Sequence, residues 1–312
     1  MSTWRESSLA GTGGLRIYWQ SWLPEGPTRA VIVLAHGYGE HSGRYRHVAV
    51  RFADEGFAVY ALDHRGHGRS EGRRPIIDRM DHAVADLDSL VRIASAEHPD
   101  QRLFVLGHSM GGCIAVSYAM RHQDRLDGLI LSGPLAALEA ASPIVRMLAR
   151  GLSAIAPGYP VTEIDASLIS RDPAVVRDYE ADPLVHHGKM PARTAAEMVA
   201  AVESFPDGVP EITVPVLIAY GTADGLCPPA GSLMLHQRIG SPDKTLKPYE
   251  GLYHEILNEP EQDQVMDDIC GWLEAHTPLS PAGGCISAIG MCYCATMCAA
   301  TAARSRILPL AA

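Results

Sequence analysis

Lysine is almost missing from this chain of 312 residues: Lys189, Lys244 and Lys247 are the only lysines among its 26 cationic residues. Asparagine occurs once, as Asn258, and aromatic residues make up only 6%. With abundant Ala, Gly and Pro, that bias marks a GC-rich coding genome and says nothing of mechanism. Positive charge is short altogether, with 36 acidic residues against 26 basic ones and a net charge of −10. No basic patch stands out, which excludes a nucleic-acid partner. Long hydrophobic runs are missing too: the first 276 residues contain no stretch of the roughly 18 apolar residues that a membrane span needs. The amino terminus lacks the charged-then-apolar pattern of a secretory signal. Cysteines are few and odd in number, seven, with Cys113, Cys227 and Cys270 in the body and Cys285, Cys292, Cys294 and Cys298 near the end. That is no disulfide framework, so a reducing cytoplasm is the expected compartment, and the last four lack the paired spacing of a metal site. What remains is ordinary globular usage, 47% apolar and 20% charged, enough to bury a core and exclude disorder as the dominant state.

Short apolar runs alternate with helical stretches, the pattern of an α/β fold with a mostly parallel sheet. Strands are expected at Ala30–Ala35, Ala58–Leu62, Leu103–Leu106, Gly128–Leu131, Val214–Tyr220 and Lys244–Tyr249. Helices are expected at Arg79–Glu97, Gly111–His122 and Glu261–Glu274. Most strand runs stop at a Gly, Asp or His, and ligands bind outside the carboxyl ends of strands in open α/β sheets. From about residue 134 to 210 the alternation breaks into an Ala-, Pro- and Arg-rich helical stretch with no convincing strand. It reads as a helical cap inserted between sheet strands of one domain, residues 1–276. Residues 277–312 carry no acid and no period, and are expected to lie outside the fold.

The chemistry centres on Gly107-His-Ser109-Met-Gly111, a G-x-S-x-G motif between a strand and a helix. The tight turn demands nearly side-chain-free residues two before and two after Ser109. It lifts the hydroxyl above the sheet at a helix amino terminus, where developing negative charge is favoured. A serine hydroxyl needs a base, and the base a carboxylate. In this architecture the acid and then the histidine follow the serine along the chain. Asp224 follows a strand in a Gly/Pro-rich loop. Of the three histidines after it, His254 sits in a loop at a strand end, whereas His236 and His276 fall on helices. The candidate triad is therefore Ser109, Asp224 and His254. The oxyanion donors are expected to be the backbone N–H groups of Met110 and, in His36-Gly-Tyr-Gly39, of Tyr38. Asp63-His-Arg-Gly-His-Gly-Arg-Ser70 could pass for a metal or phosphate site but reads better as a structural loop bonding the backbone near the site's floor.

Together these pieces resemble the monoacylglycerol lipase family of α/β hydrolases. The matching segments are His36-Gly-Tyr-Gly-Glu-His-Ser-Gly-Arg-Tyr45, Asp63–Gly72, Gly107–Gly112 and the loops of Asp224 and His254, within about residues 10–275. The resemblance implies the α/β-hydrolase fold and hydrolysis of monoacylglycerols to glycerol and fatty acid, with neither cofactor nor metal. It also implies a polar pocket for the glycerol end formed by Glu40, Arg44 and Tyr179, the last in Tyr179-Glu-Ala-Asp-Pro-Leu184. Cys227 matches a cysteine that some members carry three residues past the acid. Where vertebrate members have a second histidine, this chain has Leu257. The implied partner is a small lipid substrate, met by a monomer or a homodimer. Rival readings are a lysophospholipase or general carboxylesterase, and a non-catalytic hydrolase-fold binding protein. Such binding proteins usually lack a triad member, and this chain keeps all three. A haloalkane dehalogenase would carry Asp in place of Ser109.

Within the cap, Ser142 as N-cap and Pro143 at the first helical position predict a helix to about Ala156. At 100° per residue, Ile144, Val145, Leu148, Leu152 and Ile155 share one face, with Arg146, Arg150 and Ser153 opposite. The apolar face is expected to roof Ser109, line the acyl path with Ile144, Leu148 and Leu152, and touch a membrane or micelle peripherally.

Overall fold

The computed structural model describes residues 2–137 and 151–277. They belong to one compact unit, Met1–Pro278. The expected tail lies outside the described residues except for Thr277.

An eight-stranded sheet runs through the unit. Its strands are β1 Thr3–Ala10, β2 Arg16–Leu23, β3 Ala30–Ala35, β4 Phe57–Leu62, β5 Arg102–His108, β6 Gly128–Ser132, β9 Val216–Gly221 and β10 Lys244–Tyr249, in the spatial order β1-β2-β4-β3-β5-β6-β9-β10. From β4 to β10 every neighbouring pair is parallel, with Ala35 opposite Gly107 and Gly107 opposite Leu131. The fold is α/β and mostly parallel, as expected. Only β1 and β2 are antiparallel, to each other and, for β2, to β4.

The parallel strands read as unbroken apolar runs because both faces are covered. On β3 and β5, Val31, Val33, Leu103 and Val105 pack to one side against helices α2 (Met80–Glu97) and α3 (Met110–His122). Ile32, Leu34, Phe104 and Leu106 pack to the other side against α1 (Arg46–Asp54) and α7 (Gln262–Ala275). Period-two alternation thus divides one run between two cores.

The cap segment carries α4 (Pro173–Ala181) and α5 (Ala192–Gly208). It also holds a small antiparallel ribbon of β7 (Pro160–Thr162) and β8 (Met190–Pro191), where no strand was expected. Helix α6 (Pro229–Arg238) lies between β9 and β10. Of the expected cap helix, Ile144 and Leu148 lie outside the described residues, and 151–155 are helical. There Ser153 is buried, Leu152 half-buried and Ile155 88% exposed. That corrects the expected orientation. Helical periodicity fixes which side chains share a face, but what the helix packs on decides which face turns inward.

Candidate active site

Each residue of the candidate triad and oxyanion hole follows the carboxyl end of a strand. Ser109 follows β5, Gly37 and Tyr38 follow β3, Asp224 follows β9 and His254 follows β10. Ser109 is the only described non-glycine residue with positive φ, at φ 55° and ψ −119°. Such strain persists only where surroundings enforce it. Here its N–H donates to the Ser132 carbonyl at 3.1 Å, and its own carbonyl accepts from Cys113 and Leu135. A Cβ on Gly111 would collide with the carbonyl oxygen of Ala35, and one on Gly107 with that of Gly111. The motif's glycines are therefore a packing requirement of the turn.

His254 is buried and its Nδ1–H donates to Asp224 Oδ2 at 2.8 Å. The other carboxylate oxygen accepts the amides of Leu226 (2.9 Å) and Cys227 (2.8 Å). Burial opposes protonation of His254, but the hydrogen bond and charge of Asp224 outweigh it and raise its pKa. The neighbouring His108, with ring centroids 4.7 Å apart, is the opposite case. Burial and then the nearness of His254 push it down to about 4, and its Nδ1–H is spent on the Ser132 carbonyl. His276 bonds Trp272 and Asp243 at the end of α7, and His236 lies in the last turn of α6. Neither lines the cavity that holds Ser109 and His254.

The loop after β3 is held atom by atom. The Gly37 N–H donates to Glu40 Oε1 at 2.6 Å, and the Gly39 carbonyl accepts from the His186 N–H at 2.7 Å. The Gly37 carbonyl accepts from His36 Nδ1–H at 2.7 Å, a tautomer fixed because His36 Nε2 accepts the His64 N–H. Since the peptide is trans and planar, turning that carbonyl toward His36 turns the Tyr38 N–H the other way. Met110 opens α3 immediately after Ser109.

A cavity of about 430 Å³ lies above Ser109, within the usual range for small-molecule sites. Ile164, Ile169, Met190, Met198 and Leu226 supply apolar wall from the cap and the Asp224 loop. Glu40, Tyr179 and Glu255 supply a polar end. Arg44, expected to face a head group, lies nearly buried beside them. Its guanidinium reaches Glu40 Oε2 at 2.6 Å and both oxygens of Glu255 at 2.7 Å, and lies 4.8 Å from the Tyr179 ring centre. Sequence reasoning missed Glu255; its place immediately after the candidate base was the available signal. Leu152 does not appear on the cavity wall. Cys227 places its sulfur 3.9 Å from the Ser109 hydroxyl, and burial pushes its thiol well up, so it stays protonated. In the Asp63 loop, Asp63 accepts the amides of Ser42 and Arg69, and Arg65 grips Asp86, a scaffold beneath the site.

The family model described as serine aminopeptidase, S33, matches residues 26–261. A monoacylglycerol lipase of Mycolicibacterium smegmatis is 48% identical over 276 residues, which are 88% of this chain and 99% of that protein. The chain belongs to the monoacylglycerol lipase family of α/β hydrolases. Two solved structures agree. The monoacylglycerol lipase of Paleococcus ferrophilus is 33% identical, with a TM-score of 0.75 over 83% of this chain and 99% of that one. A soluble variant of Saccharomyces cerevisiae monoglyceride lipase, in complex with a substrate analog, is 25% identical with a TM-score of 0.79, covering 88% and 96%. As a member of the family, this chain is a carboxylic ester hydrolase.

Proposed function

We propose that the protein hydrolyses monoacylglycerols to glycerol and a fatty acid through an acyl-enzyme on Ser109. The observation that carries this reading is the cavity above Ser109, apolar along the cap and polar where Glu40, Glu255 and Tyr179 gather. A single acyl chain with a small neutral polar alcohol has that division. The names of its relatives from M. smegmatis and P. ferrophilus support the same substrate.

Ser109 Oγ attacks the ester carbonyl while His254 Nε2 takes its proton, and Asp224 holds the imidazolium that forms. The N–H groups of Tyr38 and Met110 receive the oxyanion; each such donor is typically worth about 2.7–4 kcal/mol of barrier. His254 then protonates the departing glycerol, and water repeats the sequence on the acyl-enzyme. Glu40 and Tyr179 bound the space for the glycerol hydroxyls, with Arg44 holding Glu40 in place. No helix among the described residues is long and apolar enough to cross a membrane. Ile155, Tyr159 and Val161, 88%, 55% and 42% exposed on the cap, would meet a lipid surface from outside it.

The test is a hydrolysis panel of mono-, di- and triacylglycerols beside lysophosphatidylcholine and p-nitrophenyl esters. Monoacylglycerol should give the highest kcat/KM among the lipids. A preference for lysophosphatidylcholine would sink the assignment.

A further inference from the structure

We propose that Glu255 is a positioning residue that ties the loop carrying His254 to the loop carrying Tyr38, acting through Arg44 and Glu40. The proposal rests on the triad and oxyanion roles given above. The links form an unbroken chain of short bonds. Glu255 takes both Arg44 nitrogens at 2.7 Å, Arg44 Nη1 also reaches Glu40 Oε2 at 2.6 Å, and Glu40 Oε1 accepts the Gly37 N–H at 2.6 Å. Gly37 is one peptide from the oxyanion donor, and Glu255 is one residue from the base. Each end has further anchors. Tyr45 donates to Glu40 at 2.6 Å, Asn258 Nδ2 donates to Glu255 at 2.8 Å, and the Glu255 N–H donates to the Ile169 carbonyl at 2.7 Å. Glu40 and Glu255 are buried, and Arg44 is nearly so beneath the Tyr179 ring. Charge-assisted, bidentate bonds in such a place are strong and directional. Base and oxyanion donor come from loops more than two hundred residues apart, with Arg44 and Glu255 separated by 211. An ångström of drift between them would be felt in turnover.

The same cluster is electrically unbalanced, with two carboxylates on one guanidinium. Around His254 stand Asp224 on the β9 loop, Glu255 on its own loop, Glu40 and Arg44 on the β3 side, the neutral His108 on β5, and the protonated Cys227 and Tyr179. The surplus negative charge of Glu255 and Glu40 adds to that of Asp224 in favouring protonated His254. Glu255→Gln leaves Arg44 and Glu40 as a balanced pair and keeps an oxygen for Arg44, so it should fold. Glu255→Asp keeps the charge but shortens the reach.

The test measures kcat, KM and the pH profile of kcat/KM on p-nitrophenyl acetate and on a monoacylglycerol, with Tm recorded for each variant. Glu255→Gln should lower kcat roughly 10- to 100-fold on both substrates with KM nearly unchanged. It should also move the acid limb to lower pH. Glu255→Asp should lose kcat while keeping the wild-type acid limb, and it alone suffices if Glu255→Gln does not fold. An increase in KM confined to monoacylglycerol, with kcat and the acid limb unmoved, would overturn the proposal by making Glu255 a substrate contact. Wild-type kinetics in both variants would overturn it as well. The acetate ester reports on the positioning chain even if monoacylglycerol proves not to be the substrate.

Discussion

Asp224 meets His254 with one oxygen, 2.8 Å from Nδ1, and secures its other oxygen to the amides of Leu226 and Cys227. The carboxylate is pinned on the side away from the ring and cannot swing clear of it. Its acceptor oxygen forces the proton onto Nδ1 and leaves Nε2 as the basic nitrogen. The same pairing stabilises the charged ring, so the pKa of His254 lies above the ordinary value despite burial.

As the proposed base, His254 would work only when neutral, so its raised pKa should put the acid limb of kcat/KM above about pH 6.5. Asp224→Asn removes the charge and the tautomer control. It should cut kcat on the order of 10³–10⁴-fold and bring any residual acid limb down. The stability consequence has the opposite sense to the activity. A raised histidine pKa stabilises the fold below its unfolded value and loses that contribution as pH rises through the folded one. Measuring kcat/KM from pH 5 to 9 decides this; an acid limb unmoved by Asp224→Asn would show that another group titrates.

The elbow makes a paired prediction about two glycines. Gly111→Ala would drive a Cβ into the Ala35 carbonyl, backbone that cannot yield, so the variant should be inactive and lose several kcal/mol or fail to fold. Gly271 sits in α7 with open space around its would-be Cβ. Gly271→Ala should therefore gain about 0.5–1 kcal/mol from helix propensity alone. Urea denaturation of both compares them, and a neutral Gly111→Ala would show that the elbow is looser than its contacts imply.

The candidate triad could be read from sequence because chain order, the turn chemistry around Ser109 and strand-end placement all constrain the same three residues. The parallel strands were legible because burial on both faces writes itself as unbroken apolar runs such as Ala30–Ala35. Strands β1 and β2 were not. β1 is an edge strand with most side chains exposed, so Thr3–Ala10 shows no apolar pattern. The partnership of Glu255 with Arg44 was hidden for another reason: no local period encodes a contact across 211 residues. Ile155 shows a third limit, since its shared face with Leu152 was readable and the direction of that face was not.

Beneath the Tyr38 loop three buried histidines crowd together, His36 lying 4.5 Å from His64 and 5.6 Å from His67 between ring centres. Burial, then the neighbouring His36, push His67 down to about 3, and burial lowers His36 and His64 as well. Within the described residues, His67 Nε2 and both His64 nitrogens have no hydrogen-bond partner. A depressed histidine pKa means that the unfolded chain takes up the proton first, so stability is lost as pH falls below about 6.5. His67 alone should cost on the order of 2 kcal/mol by pH 5. Denaturation of wild type and His67→Asn at pH 7 and pH 5 tests this. The variant, whatever its absolute stability, should lose less between the two; equal losses would mean that His67 takes up no protons on unfolding.

The cap's exposed apolar side chains make the last prediction. Ile155, Tyr159 and Val161 fall within seven residues of one another on a stretch that leads to the ribbon Pro160–Thr162, and water gains nothing from covering them. Their alternative use is inward packing, which their exposure of 88%, 55% and 42% rules out. Transfer of even part of this surface into a lipid interface is worth about 25 cal/mol per Å². Replacing all three by Ser should lower liposome co-sedimentation at least roughly 10-fold while shifting stability little, as surface changes usually do. Hydrolysis of monoacylglycerol presented in vesicles should fall in parallel, and hydrolysis of p-nitrophenyl acetate should stay near wild type. Leu152→Ser is the internal control. Being half-buried and off the cavity wall, it should lower Tm and leave vesicle binding intact. If the triple variant binds vesicles as wild type does, the lipid surface is met elsewhere and the cap's outer side has no part in it.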